Sequence, residues 1–234
     1  MPPFMDNITA VFFSALDREE ALYYNVQHRL RNDSCLKGEE NMPPSFKFKK
    51  EEIITAALDI TREKGIFAVT ARALAAKLGC SVKPIFGLFK NMEEVQQEIL
   101  TAANQLYQNY LQEDMSKGQY PQYKASGMAY IRFAKEENKL FKLLFMRDRS
   151  KEKIQENREE IQPFVELLKT NLGVCEEEAR LFHLEMWVFV HGIATMAATS
   201  YLDWDEGFIS KLLTDAYLGL KQRYLGEERE HGSN

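Results

Sequence analysis

The stretch Ala71-Arg72-Ala73-Leu74-Ala75-Ala76-Lys77-Leu78-Gly79-Cys80-Ser81-Val82-Lys83-Pro84-Ile85-Phe86-Gly87-Leu88-Phe89 reads as two short helices separated by a glycine turn. Thr70 precedes the first helix as a candidate N-cap, because its hydroxyl can accept from an amide that the opening turn leaves unpaired. That helix covers Ala71 to Leu78 and turns Leu74, Ala75 and Leu78 inward. Small Ala75 and Ala76 permit close helix approach, and Gly79 lets the chain reverse. Ser81 offers a further N-cap, and Pro84 is tolerable because it falls in the first turn of the second helix. That helix carries Ile85, Phe86 and Phe89. Two short helices around a glycine turn form the helix-turn-helix pattern. The free amides at the start of its second helix can face phosphate or base edges.

Upstream, Glu51 to Lys64 places Ile53, Ile54, Ala57, Leu58 and Thr61 on one apolar stripe, which predicts a third helix ending at Gly65. Charge follows the same division. Residues 47–90 hold nine basic and four acidic side chains, +5, whereas residues 91–234 hold 17 and 24, -7, and residues 1–46 hold four and seven, -3. The total of -5 therefore hides a basic block on an acidic body. That asymmetry is expected where one segment meets phosphate and the rest does not. A chain of 234 residues with 45% hydrophobic and 28% charged residues is an ordinary globular balance, for one large or two unequal domains. No uncharged apolar run approaches the roughly 18–20 residues of a membrane helix, and Met1 to Asp6 lacks the basic start of a secretory signal. Three distant cysteines, Cys35, Cys80 and Cys175, fit a reducing cytoplasm better than a disulfide framework.

The run from Ile53 to Val95 resembles the TetR/AcrR family of bacterial transcriptional regulators. The carrying features are the amphipathic first helix, Gly65 with Phe67 and Thr70, and Leu74-Ala75-Ala76-Lys77-Leu78-Gly79-Cys80-Ser81. Then follow Ile85-Phe86-Gly87-Leu88-Phe89-Lys90 and the acidic pair Glu93-Glu94. The resemblance implies an all-α fold: an N-terminal three-helix helix-turn-helix DNA-binding domain followed by a larger helical ligand-binding and dimerisation domain. It implies a homodimer that binds a palindromic operator in double-stranded DNA and is released by a small-molecule effector, with repression the family's usual mode. Carried over by position, Thr70 caps the second helix near a phosphate, and Ser81, Val82, Lys83 and Pro84 lie at the exposed start of the recognition helix. Phe86 takes the aromatic position usually filled by Tyr, and without the hydroxyl it cannot donate to phosphate. Met92 stands where many relatives have Lys, leaving Lys90 as the nearby phosphate candidate, and Gly87 and Leu88 remove polar groups often found there. Arg72 and Lys83 are the foremost candidates for groove or phosphate contact; Lys64 and Lys77 read as solvated. These departures motivate a second reading, a helical ligand-binding or interaction protein whose degenerate helix-turn-helix no longer binds DNA.

The remainder is expected to be wholly helical. Asn91 and Glu94 make a capping-box pattern that opens a long helix through about Gln112. A reader joined rigidly to that helix forms a lever, so ligand control could be a shift between two spacings of paired recognition helices, which DNA sets at about 34–36 Å. After a break at Gly118 to Pro121, helices are expected near 122–135 and 140–146, then 151–172 with a kink or break at Pro163, then 176–201 and 206–224. Phe133, Phe141, Phe145, Met186 and Trp187 are the candidate effector-pocket residues, since aromatic and Met side chains adapt to apolar ligands. Gly192, Thr195, Met196 and Thr199 belong to a small-sided run that would let the last two helices pair with a second copy.

Residues 1–45 have no counterpart in the family pattern, 46–91 form the reader, 92–225 the effector and dimerisation domain, and 226–234 a polar tail. Codons for Lys37-Gly38-Glu39 can spell a ribosome-binding site upstream of Met42, so translation is expected to start at Met42; the rival is a real helix from Thr9 to Leu30. The four histidines have no cysteine pair, metal-spaced carboxylates or nucleophile elbow beside them, and no phosphate-binding glycine loop occurs. His191 reads as a hydrogen-bonded histidine. No enzyme, metal or cofactor is expected, and no membrane partner.

Overall fold

The structure, a computed structural model, describes residues 48–148 and 158–231, with side chains described for 48–148 and 161–225. The segment 1–45, the helix expected from Thr9 to Leu30, and the start at Met42 lie outside the described residues. The described chain folds as α1 (Lys50–Lys64), α2 (Ala71–Leu78), α3 (Lys83–Leu88), α4 (Met92–Ser116), α5 (Gln122–Glu136), α6 (Asn138–Phe145), α7 (Arg158–Leu172), α8 (Glu176–Ala198) and α9 (Glu206–His231). No strand occurs among the described residues. The molecule is all-α.

Local chemistry fixes the first three helices. Thr70 Oγ1 accepts from the Ala73 amide at 3.1 Å and starts α2. Gly79 ends α2 in the left-handed conformation at φ 64°, which a residue with Cβ adopts only at a cost. Gly65 ends α1 at φ 84°, on the same side of the map. Ser81 is not the cap expected for α3: the helix opens one residue later, with Val82 at the cap position and Pro84 in the first turn. Asn91 Oδ1 accepts from the Glu94 amide at 2.9 Å, as its spacing requires. The return bond of the box is displaced, because Glu94 Oε2 accepts instead from the Lys90 amide at 2.6 Å. The Lys90 amide and then Lys50, whose Nζ lies 3.1 Å from Glu94 Oε1, hold the Glu94 carboxyl below its ordinary range.

Packing joins these elements without a break. Ile53, Leu74, Ile85 and Phe89 are buried and share one core with Val95, Ile99, Tyr107 and Phe133. Helix α1 packs on α2, α4 and α6, so the helix-turn-helix sits directly on the longer helices of the body. Helix α5 is central, contacting α4, α6, α8 and α9. Gly127 gives that approach its room: a Cβ there would lie 3.3 Å from Leu213 Cδ1 and 3.4 Å from Val190 Cγ2. A second core of Val165, Leu168, Phe182, Met186 and Tyr224 ties α7 to α8 and α9.

Several expected bounds differ: α4 runs to Ser116 rather than about Gln112, and α8 stops at Ala198 rather than at 201. Helix α7 runs through Pro163 rather than breaking there, with the proline on its exposed face while Phe164 and Val165 beside it are buried. Helix α9 continues past Gly226 to His231, since one glycine costs a helix only about 1 kcal/mol. Helix α8 is long and apolar enough to cross a membrane by length and composition, but 39% of its apolar window is buried against the other helices.

Candidate functional site

Two regions carry chemistry, the helix-turn-helix tip and a cavity in the body. At the tip, Thr70, Ser81, Val82, Lys83, Phe86 and Lys90 are exposed, and Pro84 is half-buried. Arg72 stands exposed on the first turn of α2, Lys83 opens α3 and Lys90 follows it. None of these three cations is in an ion pair among the described residues. Lys77, by contrast, lies 3.3 Å from Asp59 and 3.6 Å from Glu63, which ties it back to α1. Phe86 is 48% exposed, whereas Ile85 and Phe89 nearby are buried. Sequence reasoning gave no contact role to Phe67, which is 97% exposed on the 3-10 turn Ile66–Ala68. Its neighbour Ile66 packs against the core instead.

In the body, α5, α7, α8 and α9 enclose a cavity of about 440 Å³. Tyr123, Tyr130, Trp187 and Tyr217 give it aromatic walls, and Leu167, Met186, Val190 and Leu213 aliphatic ones. Exposed Pro121 and Gln122 stand at its edge. Its polar side chains include Lys124, Thr214, Asn171 and His183. Burial, with Arg180 nearby, pushes the His183 pKa down to about 4, so its ring is neutral at pH 7. Its Nδ1 lies 3.0 Å from the Tyr123 hydroxyl, whose own pKa burial raises. Two turns along α8 the arrangement repeats: His191 Nδ1 lies 2.9 Å from the Tyr130 hydroxyl, and burial lowers the His191 pKa.

Of the five expected pocket residues, Met186 and Trp187 line this cavity. Phe133, Phe141 and Phe145 do not. They pack instead around Tyr107 and Tyr130, with Tyr107 5.3 Å from both Phe133 and Phe145 and Tyr130 5.3 Å from Phe141, between ring centroids. That corner of the body is where α4, α5, α6 and α8 meet, so the three phenylalanine rings fill space there, while Tyr130 beside them also reaches the cavity wall. The residues sequence reasoning missed, Tyr123, Lys124, Leu213 and Tyr217, come from α5 and α9, whose cavity faces no local pattern marks.

The outer faces of α8 and α9 stay apolar. Val188 is 57% exposed and Leu218 50%, and Phe189 and Phe208 on the same two helices are exposed as well. Met196 and Thr199 are exposed, Gly192 and Thr195 half-buried, and no atom lies within 4 Å of where a Gly192 Cβ would be. Arg223 donates to both Glu185 oxygens at 2.7 Å, pinning α9 to α8. No group of three or more potential metal ligands gathers among the described residues.

Residues 123–215 match the model of the tetracyclin repressor-like C-terminal domain. The fold matches a TetR-like transcriptional regulator from Rhodococcus sp. RHA1 at TM-score 0.53 and 15% identity, over 76% of this chain and 95% of that one. The chain has the TetR-like fold. A second solved structure, a TetR variant from Acinetobacter baumannii AYE in complex with minocycline, aligns at TM-score 0.43 and 17% identity, over 78% of this chain and 98% of that one. No curated protein matches the sequence. In this TetR-like chain the matched C-terminal region contains α7 and α8 and nearly all of α5, and ends within α9, so it takes in all four helices around the cavity whole or in part.

Proposed function

We propose that the chain is a ligand-responsive transcriptional regulator, a repressor that binds a palindromic operator as a homodimer and lets go when a small molecule fills the cavity between α5, α7, α8 and α9. The observation that carries this reading is the pairing of an exposed, unpaired cationic tip with a cavity in a body that shares the tip's core. Arg72, Lys83 and Lys90 are the proposed phosphate and groove contacts. Thr70 and the start of α3 at Ser81, Val82 and Pro84 position them, and Phe86 supplies apolar contact to the sugar-phosphate surface. A second copy covers α8 and α9 through Gly192, Thr195, Met196 and Thr199 together with Val188 and Leu218. The TetR-like fold and the C-terminal domain match support the same reading.

The test is binding to a DNA fragment from the protein's own upstream region at graded salt. Three cations per protomer, six per dimer, predict that affinity falls about a thousandfold between 50 and 200 mM salt. Lys83→Ala removes two contacts per dimer and is expected to reduce the slope of log K against log salt by about 2. An intact dimer that does not bind at 50 mM salt would leave the interaction protein with a degenerate reader as the better account.

A further inference from the structure

The wall of the cavity carries a charge of one sign. Among the described residues Lys124 is the one charged side chain that lines it, and no Asp or Glu does. Lys124 is half-buried, its Nζ donating to Thr214 Oγ1 at 2.8 Å and lying 4.8 Å from the centre of the Tyr120 ring. Among the described residues it makes no ion pair. Elsewhere on the body Lys117, Arg132, Lys169, Arg180 and Arg223 each pair with a carboxylate. A cation partly withdrawn from water without a counter-ion attracts an anion and repels a second cation. The neighbouring His183 is neutral at pH 7 and contributes no competing charge. Around Lys124 the wall is aromatic, with Tyr130, Trp187 and Tyr217 offering ring faces or edges to a flat ligand.

We propose that the cavity takes an aromatic carboxylic acid, its carboxylate paired with Lys124 beside Thr214 and its ring system against Trp187, Tyr130 and Tyr217. The proposal rests on the cavity being the effector site and names the chemistry of that effector. A volume of about 440 Å³ suits a ligand of two or three fused or linked rings. Cationic amphiphiles are disfavoured by the same charge.

Calorimetric titration of the full chain near pH 7.5 with three probes of matched size tests this: 2-naphthylacetate, 2-(2-naphthyl)ethanol and 2-(2-naphthyl)ethylammonium. The acid is expected to bind at least about tenfold more tightly than the alcohol, and the ammonium more weakly than either. Lys124→Met keeps the aliphatic stem and is expected to bring the acid down to the alcohol's affinity while leaving the alcohol within about twofold. Lys124→Gln repeats the measurement should the Met variant misfold by circular dichroism, and the ranking on the unaltered protein decides by itself if both do. Binding of the alcohol or the ammonium as tightly as the acid, or no loss of acid affinity in a folded Lys124 variant, overturns the acid class and leaves the effector cavity standing. No binding by any of the three overturns both.

Discussion

At the scale of single residues, His183 sets a pH dependence. Its ring is held neutral by burial first and by Arg180 second, with a pKa of about 4 against an ordinary 6.5. The folded chain therefore binds this proton less readily than the unfolded chain does. Its stability is intact above the ordinary histidine range and is lost as pH falls from roughly 6.5 toward 4, at about 1.4 kcal/mol per pH unit. Urea unfolding of the protein and of His183→Gln across pH 4–7.5 checks this. The variant should show a shallower acid slope, and parallel slopes would assign the dependence to other groups. Little of this was legible in the sequence. The partner of His183, Tyr123, is 60 residues away, and no local pattern announces a pair formed across two helices. Residues whose partners are close in the chain read well: Thr70 caps α2 because the amide it accepts from is three residues on. Phe67 shows the limit, since Ile66 and Phe67 are both apolar and only the path of the 3-10 turn decides that Ile66 faces in.

At the scale of elements, the joint between the helix-turn-helix and the body includes α1 against the α5–α6 corner. Arg62 donates through Nε to both Glu137 oxygens, at 3.1 and 2.9 Å, and through one terminal nitrogen at 2.9 Å. Glu137 stands between α5 and α6, and its side chain is 14% exposed. Arg62 is 37% exposed, so solvent screens part of the attraction. A double-mutant cycle with Arg62→Gln and Glu137→Gln, read by urea unfolding, is expected to give a coupling of about 0.5–1 kcal/mol. Coupling indistinguishable from zero would mean that this ion pair adds nothing to the joint, leaving it to apolar packing and the Lys50–Glu94 pair. Helices were the most legible level, because a stripe at helical spacing is local: α2 occupies Ala71 to Leu78 as the pattern requires. Ends were less legible. Pro163 and Gly226 signal a stop from within the chain, whereas the packing that carries α7 past Pro163 comes from α8.

At the scale of the whole molecule, a homodimer built on α8 and α9 needs those faces covered. Val188→Glu places a charge on an exposed apolar position of α8, where burial against a second copy would be costly. Sedimentation velocity at micromolar concentration should show a dimer for the unaltered chain and a monomer for the variant, with the helical content of both the same. A Val188→Glu dimer would move the interface elsewhere. The +5 reader and the -7 body are described by the sequence alone, but the cavity is not, because its lining comes from four helices whose mutual placement no single stretch encodes. One of its lining residues, Gly127, has a further meaning. The Cβ it lacks would press on Leu213 and Val190, two other residues of the same wall. Glycine and alanine codons differ by one nucleotide, so a single mutation can tighten the chamber by a methyl group while leaving Lys124 in place. Under the proposed function, the size and the charge of the ligand the cavity accepts are thereby set at separate positions, Gly127 and Lys124.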